Sequence, residues 1–272
     1  MGIHTKAQRI GWQLGLLALL VAPAAVWGAD GAARQPRQVE FFEAIEAGEI
    51  DVQFIPRNAE QANVIIENRG EQPLAIRLPD AFAGVPVLAQ FGGGGGFGGM
   101  QGGRGGGTRG GGGGMQGMGG GMGGMMGGGG MGGMGGMGGM GGGMFNVEPG
   151  RVGRLRVPTV CLEHGKEDPN PRVPYEIRPI ETFTDNQGVI EICRMLGRGE
   201  VPQNVAQAAA WHLTDDLSWE ELATMNRVQL RSGYFERFFS PLEVQNAMRV
   251  VGEAHRRVEE SDTYTADSLS QR

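Results

Sequence analysis

The sequence predicts an α+β protein in which a β-sandwich is interrupted by a long disordered glycine/methionine loop and followed by a helical segment. Of the 52 positions from 92 to 143, 36 are glycine, and short alternating apolar segments stand on both sides of them. After residue 180 the apolar residues recur with helical spacing instead. We therefore place the sandwich at 40–180, the disordered insertion at 92–143 and a helical segment packed on the sandwich at 181–260.

The first 28 residues have the features of a secretory signal peptide. Lys6 and Arg9 precede a short apolar stretch at 14–25, and the small residues at 26–28 suit cleavage. A membrane span needs about 20 apolar residues, so export is favoured over an anchor. Cleavage removes two positive charges and no negative one, which moves the formal net charge from −6 to −8. An acidic chain argues against nucleic acid as a partner, and no later stretch is long enough to span a membrane.

The segment before the insertion has strand character. Residues 29–39 resemble a flexible lead-in, and apolar residues alternate with polar ones at 50–54. Two apolar runs, 63–67 and 74–78, are separated by the turn residues 68–71, a pattern that predicts a hairpin. A further strand at 85–88 leads into the glycine run.

Strand character resumes at 144–148 and again at 152–162. The simplest arrangement is a loop between neighbouring strands of one sandwich, because lengthening a loop from about 4 to about 52 residues costs only about 2 kcal/mol of closure entropy. A linker between two domains is the alternative. We disfavour it because the N-terminal strands alone would make a poor core.

Helix signals follow residue 187. Residues 188–196 have an apolar face, and Pro202 opens an alanine-rich stretch that reaches Leu213. Ser218 and Ser240 each stand three residues before a glutamate, which is the capping-box pattern. We expect the last helix to end near Glu259 and residues 261–272 to be a flexible tail.

The chain has two cysteines, Cys161 and Cys193. In an oxidising compartment they could form one disulfide, worth about 3 to 4 kcal/mol for a loop of about 33 residues. The alternative is a buried free thiol at Cys193, which shares a helical face with Val189 and Leu196. The sequence leaves both alternatives open.

Methionines recur throughout the insertion, and thioether sulfur is a ligand suited to Cu(I). A flexible chain could wrap several of them around one ion. The alternatives are a repeat tolerated in a solvated loop and an adaptable, oxidisable surface. The methionines concerned are Met115, Met118, Met122, Met125, Met126, Met131, Met134, Met137 and Met140.

Cys161, Glu163 and His164 place a thiol, a carboxylate and an imidazole within four residues. One Cys-x2-His half-site is weak support for zinc. A cysteine nucleophile would need a base within hydrogen-bond reach, for which His164 and His212 are the candidates. The structural alternative is a strand end at which Cys161 packs inward while Glu163 and His164 face water.

Gln207 and Trp211 stand in an alanine-rich helical stretch. Small residues allow another element to approach closely, and Trp211 can bury a large area. A packing helix accounts for this pattern. Gln207 is the exception, because a buried amide needs hydrogen-bond partners.

The Val-Cys-Leu segment at 160–162, followed by Gln-Ala-Ala-Ala-Trp at 207–211, resembles the surface thioester domains of secreted bacterial adhesins. Ala206 stands where that family has threonine, and Gln229 and Gln245 are candidates for its separate crosslinking glutamine. The resemblance implies condensation of Cys161 with a glutamine side chain. The chain is also similar to a group of uncharacterised secreted bacterial proteins that carry the same Cys-Leu-Glu-His-Gly and Gln-Ala-Ala-x-Trp segments.

We find no phosphate-binding loop, catalytic triad or spaced carboxylate pair in the sequence. The prediction is therefore an exported, non-enzymatic structural or interaction protein of the periplasm or cell surface, with a protein or cell-surface partner and no cofactor or resident metal. A thioester adhesin that uses Cys161 and a Cu(I)-binding loop are the alternatives. The candidate reactive or binding residues are Cys161, Glu163, His164, Gln207 and Trp211.

Overall fold

Residues 35–87, 115–122 and 143–270 are described by the computed structural model, with side chains as far as residue 263. They belong to one unit that begins at Arg34. The predicted signal peptide (1–28), most of the predicted insertion and the last two residues of the predicted tail lie outside the described residues.

The described chain consists mainly of strands as far as residue 178 and is mainly helical after it. The strands are β1 (Arg37–Glu40), β2 (Ile50–Asn58), β3 (Gln61–Asn68), β4 (Leu74–Arg77), β5 (Phe82–Pro86), β6 (Met118–Gly120), β7 (Met144–Val147), β8 (Val152–Cys161), β9 (Tyr175–Arg178), β10 (Asn226–Gln229) and β11 (Phe235–Arg237). The helices are α1 (Phe41–Glu46), α2 (Gln187–Gly197), α3 (Gln203–Thr214), α4 (Trp219–Thr224) and α5 (Pro241–Ser270).

Six strands close into an antiparallel barrel in the order β2-β3-β8-β6-β5-β9. This corrects the predicted β-sandwich. A sandwich leaves strand edges free, whereas here β6 joins β5 to β8 and β9 joins β5 to β2. The strand content was predicted, but the closure depends on pairings that hydrophobic alternation does not specify.

The strand β6 comes from inside the predicted disordered insertion. Met118 and Met122 are fully buried, and the three residues of β6 pair with both neighbouring strands. The prediction of disorder is therefore wrong for residues 115–122. Glycine has no side chain to bury, but its bare backbone can enter a slot between two strands and supply ladder hydrogen bonds.

A small second sheet has the order β1-β4-β7. The predicted flexible lead-in at 29–39 thus ends in strand β1, which runs parallel to β4. The predicted hairpin between 63–67 and 74–78 does not form, since β3 pairs in the barrel and β4 pairs with β1 and β7. Asn68, the last residue of β3, links the barrel to this sheet: its buried side-chain amide donates to the carbonyl oxygens of Gln72 and of Val147 in β7 at 2.8 and 2.9 Å.

The helices follow the sequence signals closely. Both predicted capping boxes form: Ser218 and Glu221 exchange side-chain and backbone bonds, and Glu243 accepts from the Ser240 N–H at 2.7 Å while its own N–H donates to Ser240 Oγ at 3.3 Å. Helix α5 continues to Ser270, past the predicted end at Glu259 and into the segment predicted to be a flexible tail. None of the helices in the described ranges is long and apolar enough to cross a bilayer.

Two hydrophobic clusters form the core. The first fills the barrel and includes Phe54, Phe82 and Met118. The second lies between the barrel wall and the helices and includes Ile190 and Phe239. Strand β8 serves both clusters, because Val157 belongs to the first and Val160 and Cys161 belong to the second. The end of β8 is therefore where the barrel and the helices meet.

Candidate functional site

The side chain of Gln207 is bound in both directions to the backbone of Cys161. The Cys161 N–H donates to Gln207 Oε1 at 2.8 Å, and Gln207 Nε2 donates to the Cys161 carbonyl oxygen at 2.9 Å. Gln207 is 2% exposed, so these bonds satisfy a buried amide. The amide of Gln207 thus takes the place of a peptide group from a neighbouring strand.

A second glutamine on the same face of helix α3 also bonds to the backbone of β8. Gln203, Gln207 and Trp211 are spaced four residues apart and so share that face. Strand β3 pairs with β8 only as far as Pro158, and Gln203 Nε2 then donates to the Thr159 carbonyl oxygen at 2.9 Å. The glutamines of α3 therefore continue the hydrogen-bonding edge of β8 beyond the end of β3.

Both cysteines are free and buried, so the disulfide alternative is not formed and the buried thiol at Cys193 is the observed one. Burial raises the pKa of the Cys161 thiol to about 12, and the Asp168 carboxylate adds to the effect. Burial likewise raises the pKa of Cys193 to about 12, against a smaller opposing effect of Arg194. Both sulfurs are therefore protonated at neutral pH, and a protonated thiol is a poor nucleophile.

Neither candidate base is hydrogen-bonded to Cys161 in the described parts of the chain. The Cys161 thiol points instead at the Ala59 carbonyl oxygen, 3.9 Å away. The His164 ring packs edge-on against Trp211 with centroids 4.7 Å apart. His212 Nδ1 lies 2.8 Å from the Leu217 carbonyl oxygen, and its ring stacks on Trp219. The two histidines are thus used in aromatic packing.

Glu163 connects the end of β8 to the glycine strand. Its Oε2 accepts the Gly117 N–H at 2.8 Å, while Oε1 pairs with Lys166. The Leu162 N–H also donates to the Gly117 carbonyl oxygen at 2.9 Å. Glu163 is only partly exposed. The sequence alternative placed it facing water, but its carboxylate instead contacts the segment before β6.

A cleft of about 520 Å³ opens above this junction. The turn between β2 and β3 forms one wall, the 164–169 loop forms another, and Gln203, Gln207 and Trp211 of α3 form the floor. Charges of both signs surround it, including Arg57, Glu60, Lys166, Asp168 and Arg227. A smaller cavity of about 330 Å³ lies beside β1 and α1, away from the candidate residues.

Two residues that line this cleft each hold a buried polar atom without a hydrogen-bond partner among the described residues: Trp211 Nε1, a donor, and Gln116 Oε1, an acceptor. The two side chains are 6% and 3% exposed. Buried polar groups are normally paired, and an unpaired one costs about 1 to 3 kcal/mol.

Sequence reasoning missed Gln116 and Tyr175. Gln116 is the one amide within residues 110–122, which is the signal that could have singled it out. Its side-chain Nε2 donates to the carbonyl oxygen of Lys166 at 3.1 Å. Its backbone carbonyl oxygen accepts the Tyr175 hydroxyl at 2.9 Å. Burial is the largest cause that raises the pKa of Tyr175, so this hydroxyl stays a donor.

Within the ranges that the structure describes, no three His, Cys, Asp or Glu residues converge on a possible metal site. The copper prediction concerns methionines that lie mostly outside those ranges. Met118 and Met122 are inside the barrel core, where their thioethers pack against other apolar side chains. They are therefore not free to wrap around an ion.

No protein family, curated protein or solved structure matches this chain at a significant level.

Proposed function

We propose that this is an exported, non-enzymatic interaction protein of the periplasm or cell surface that binds a peptide segment of a partner in the cleft above Trp211. The observation that carries the proposal is that two residues of the cleft lining, Trp211 and Gln116, each hold a buried polar atom with no partner in the described part of the chain: Trp211 Nε1, a donor, and Gln116 Oε1, an acceptor. A peptide segment that reached both atoms would supply the complementary groups, a carbonyl acceptor and an N–H donor. Basic and acidic side chains both surround the cleft, which favours an uncharged group over an ion at its floor.

The cleft has other properties of a recognition site. Trp211 is held on three sides, by His164, Phe238 and Phe239, at centroid distances of 4.7, 5.2 and 5.9 Å. A rigid aromatic side chain loses little entropy on binding. The floor is fixed by the glutamine bonds to β8, so a ligand meets a preformed surface.

The test compares Trp211→Phe with Trp219→Phe. The first substitution keeps an aromatic ring but removes the indole N–H from the cleft, while the second alters a tryptophan that stacks on His212 outside it. Binding is measured by calorimetry with blocked peptides of two to four residues and, as the competing ligand class, with N-acetylglucosamine oligomers.

We expect peptide binding that Trp211→Phe weakens at least about tenfold and that Trp219→Phe leaves unchanged, since one good hydrogen bond is worth about 1.4 kcal/mol. If only the sugars bind, the cleft is a carbohydrate-binding site and not a peptide-binding site. Equal binding by the two variants, or no binding of either ligand class, would overturn the proposal.

An internal thioester between Cys161 and Gln207 is the second candidate. Two residues that lie 46 positions apart in sequence are hydrogen-bonded here, and that contact favours it. The Cys161 sulfur would replace the amide nitrogen of Gln207, the thiol proton would leave with that nitrogen, and ammonia would be released. The reaction would remove the hydrogen bond from Gln207 Nε2 to the Cys161 carbonyl oxygen, because that nitrogen leaves as ammonia.

Intact mass of the exported protein separates the two candidates. A thioester makes the chain lighter by one ammonia and adds one methylamine on exposure to that amine. Cys161→Ala should abolish both changes, whereas Cys193→Ala should preserve them. A full-mass protein with two titratable thiols would rule out the thioester and leave the peptide cleft in place.

A further inference from the structure

The segment Met115–Met122, here named the β6 segment, is held by contacts that are specific to its sequence. The Gln116 N–H donates to the Glu167 carbonyl oxygen at 3.1 Å, and Gln116 Nε2 reaches the Lys166 carbonyl oxygen at the same distance. The Tyr175 hydroxyl donates to the backbone carbonyl oxygen of Gln116 at 2.9 Å. Three groups of one residue are thus fixed before the strand begins.

The slot that follows is narrow at three successive glycines: a Cβ would meet backbone oxygens at Gly120 and Gly121, and the ends of side chains at Gly119. A Cβ on Gly119 would lie 2.7 Å from Cys193 Sγ, and one on Gly120 would lie 2.7 Å from the Pro158 carbonyl oxygen. A Cβ on Gly121 would lie 2.1 Å from the Asp80 carbonyl oxygen. Met118 and Met122 flank these glycines and are fully buried. The slot therefore selects the pattern Met-Gly-Gly-Gly-Met.

The glycine/methionine run offers parts of this pattern more than once. Met-Gly-Gly-Gly-Met occurs at 118–122 and again at 140–144, and Met-Gln-Gly occurs at 100–102 and 115–117. The two patterns stand together only at 115–122. Strand register is weakly specified in glycine-rich sequences. Gln116 therefore supplies the register that the glycines alone cannot.

In the sequence, 28 residues (87–114) separate the β6 segment from β5, and 21 residues (123–143) separate it from β7. Among the described residues, the partners of the β6 segment lie on β5, β8, β9, α2 and the loops beside them, and these contacts do not require the segment to come from the same chain. An identical segment from another molecule would make identical bonds. Exchange of an identical element is a low-cost route to a dimer.

We propose that the slot between β5 and β8 is an exchange site, at which the β6 segment of a second copy of this chain replaces the chain's own and produces a strand-swapped dimer. Reciprocal exchange fills both slots, so the two molecules lose no ladder bonds. A tethered segment has an effective concentration of about 1 mM, so swapping becomes appreciable as the protein approaches that concentration. The proposal does not depend on a ligand in the cleft.

The first experiment traps the exchange covalently. In a full-length chain with Gly119→Cys and Cys161→Ser, the new thiol faces Cys193, because the Gly119 Cβ position is 2.7 Å from Cys193 Sγ and a disulfide needs about 3 Å. Oxidation at rising protein concentration should give a covalent dimer on a non-reducing gel. Cys161→Ser alone is the control and should stay monomeric. A crosslink that remains within one chain at every concentration would overturn the proposal.

The second experiment does not require a residue in the slot. Two differently tagged full-length chains are refolded together at about 1 mM and tested for co-purification. We expect mixed dimers from the unsubstituted chains and no change for Gly252→Ala, whose Cβ would meet open space. Gly121→Ala should abolish the mixed dimers, because its Cβ would lie 2.1 Å from the Asp80 carbonyl oxygen and would keep the segment out of either slot. If the unsubstituted chains stay monomeric, or if Gly121→Ala dimerises equally well, the exchange site does not exist.

Discussion

Gly121 and Gly197 face each other with no side chain between them. A Cβ on Gly197 would lie 2.4 Å from the Cα of Gly121, and a Cβ on Gly121 would lie 2.9 Å from the Cα of Gly197. The glycine strand of the barrel therefore meets helix α2 backbone against backbone. Neither surface could carry a larger residue without separating the barrel from the helices.

Replacing Gly121 with alanine should destabilise the protein by at least about 2 kcal/mol, since the new methyl group would overlap the Asp80 carbonyl oxygen and the backbone would have to shift. Urea unfolding measures the change. Gly252→Ala in helix α5 is the matched control and should raise stability by up to about 1 kcal/mol, because the site is open and helical. Equal stability of the two variants would show that β6 does not occupy its slot.

Gln207→Ala should lower the free energy of unfolding by about 2 to 4 kcal/mol, because it leaves the N–H and the carbonyl oxygen of Cys161 buried without partners. The control is Gln245→Ala on the exposed face of α5, for which we expect a change below about 0.5 kcal/mol. The measurement is thermal and urea unfolding of both variants. A Gln207 variant as stable as the control would contradict the edge-capping role of this amide.

Acid should weaken the junction between α2 and α5. Burial alone would raise the pKa of Glu200, but hydrogen bonds from Arg198 and Arg257 hold it below the ordinary value of 4.5. A carboxylate with a lowered pKa in the folded state stabilises above its unfolded pKa, and that contribution is lost as the pH falls. Glu200→Gln should therefore flatten the loss of stability below about pH 4.5.

The control for this pH profile is Glu259→Gln, an exposed glutamate on the same helix as Arg257. It should retain the slope of the unsubstituted protein. Urea midpoints between pH 3 and pH 7, a range of about four units around the ordinary carboxyl pKa, provide the comparison. If both glutamine variants follow the same curve, the Glu200 pairs contribute nothing to acid sensitivity.

The thiols should resist alkylation in the folded protein. With pKa values raised to about 12 by burial, Cys161 and Cys193 carry almost no thiolate at pH 8, about four units lower. Iodoacetamide followed by mass spectrometry should add no label to the native chain and two labels in denaturant. A single label in denaturant, restored to two by methylamine, would instead identify Cys161 as thioester-bound.

Several elements could be predicted from local sequence because local chemistry decides them. The capping boxes at Ser218 and Ser240 close within one helical turn, and β8 follows from its alternating apolar residues. The resemblance to thioester domains singled out both Cys161 and Gln207, but its candidates for the crosslinking glutamine were Gln229 and Gln245. The structure joins Cys161 to Gln207 through hydrogen bonds between the side-chain amide and the backbone.

Gln116 shows why the rest could not be predicted. Its neighbours in sequence are glycine and methionine, whereas its partners lie on the 163–168 loop and on β9, about fifty positions or more away. No pattern within the run reveals that β5 and β8 leave a slot between them. Composition predicts a segment without a core of its own, but it could not identify the part that becomes a strand.

The sequence by itself determined the α+β character, most of the strand and helix segments and the helix caps, because hydrophobic period and capping act between residues a few positions apart. Only the tertiary structure decided that the strands close into a barrel, that eight residues of a glycine/methionine run complete it, and that Gln116 and Trp211 reach one cleft. Those features depend on backbone hydrogen bonds and close packing between distant segments. Such contacts do not require a recognisable local pattern of residue types, so the sequence does not reveal them.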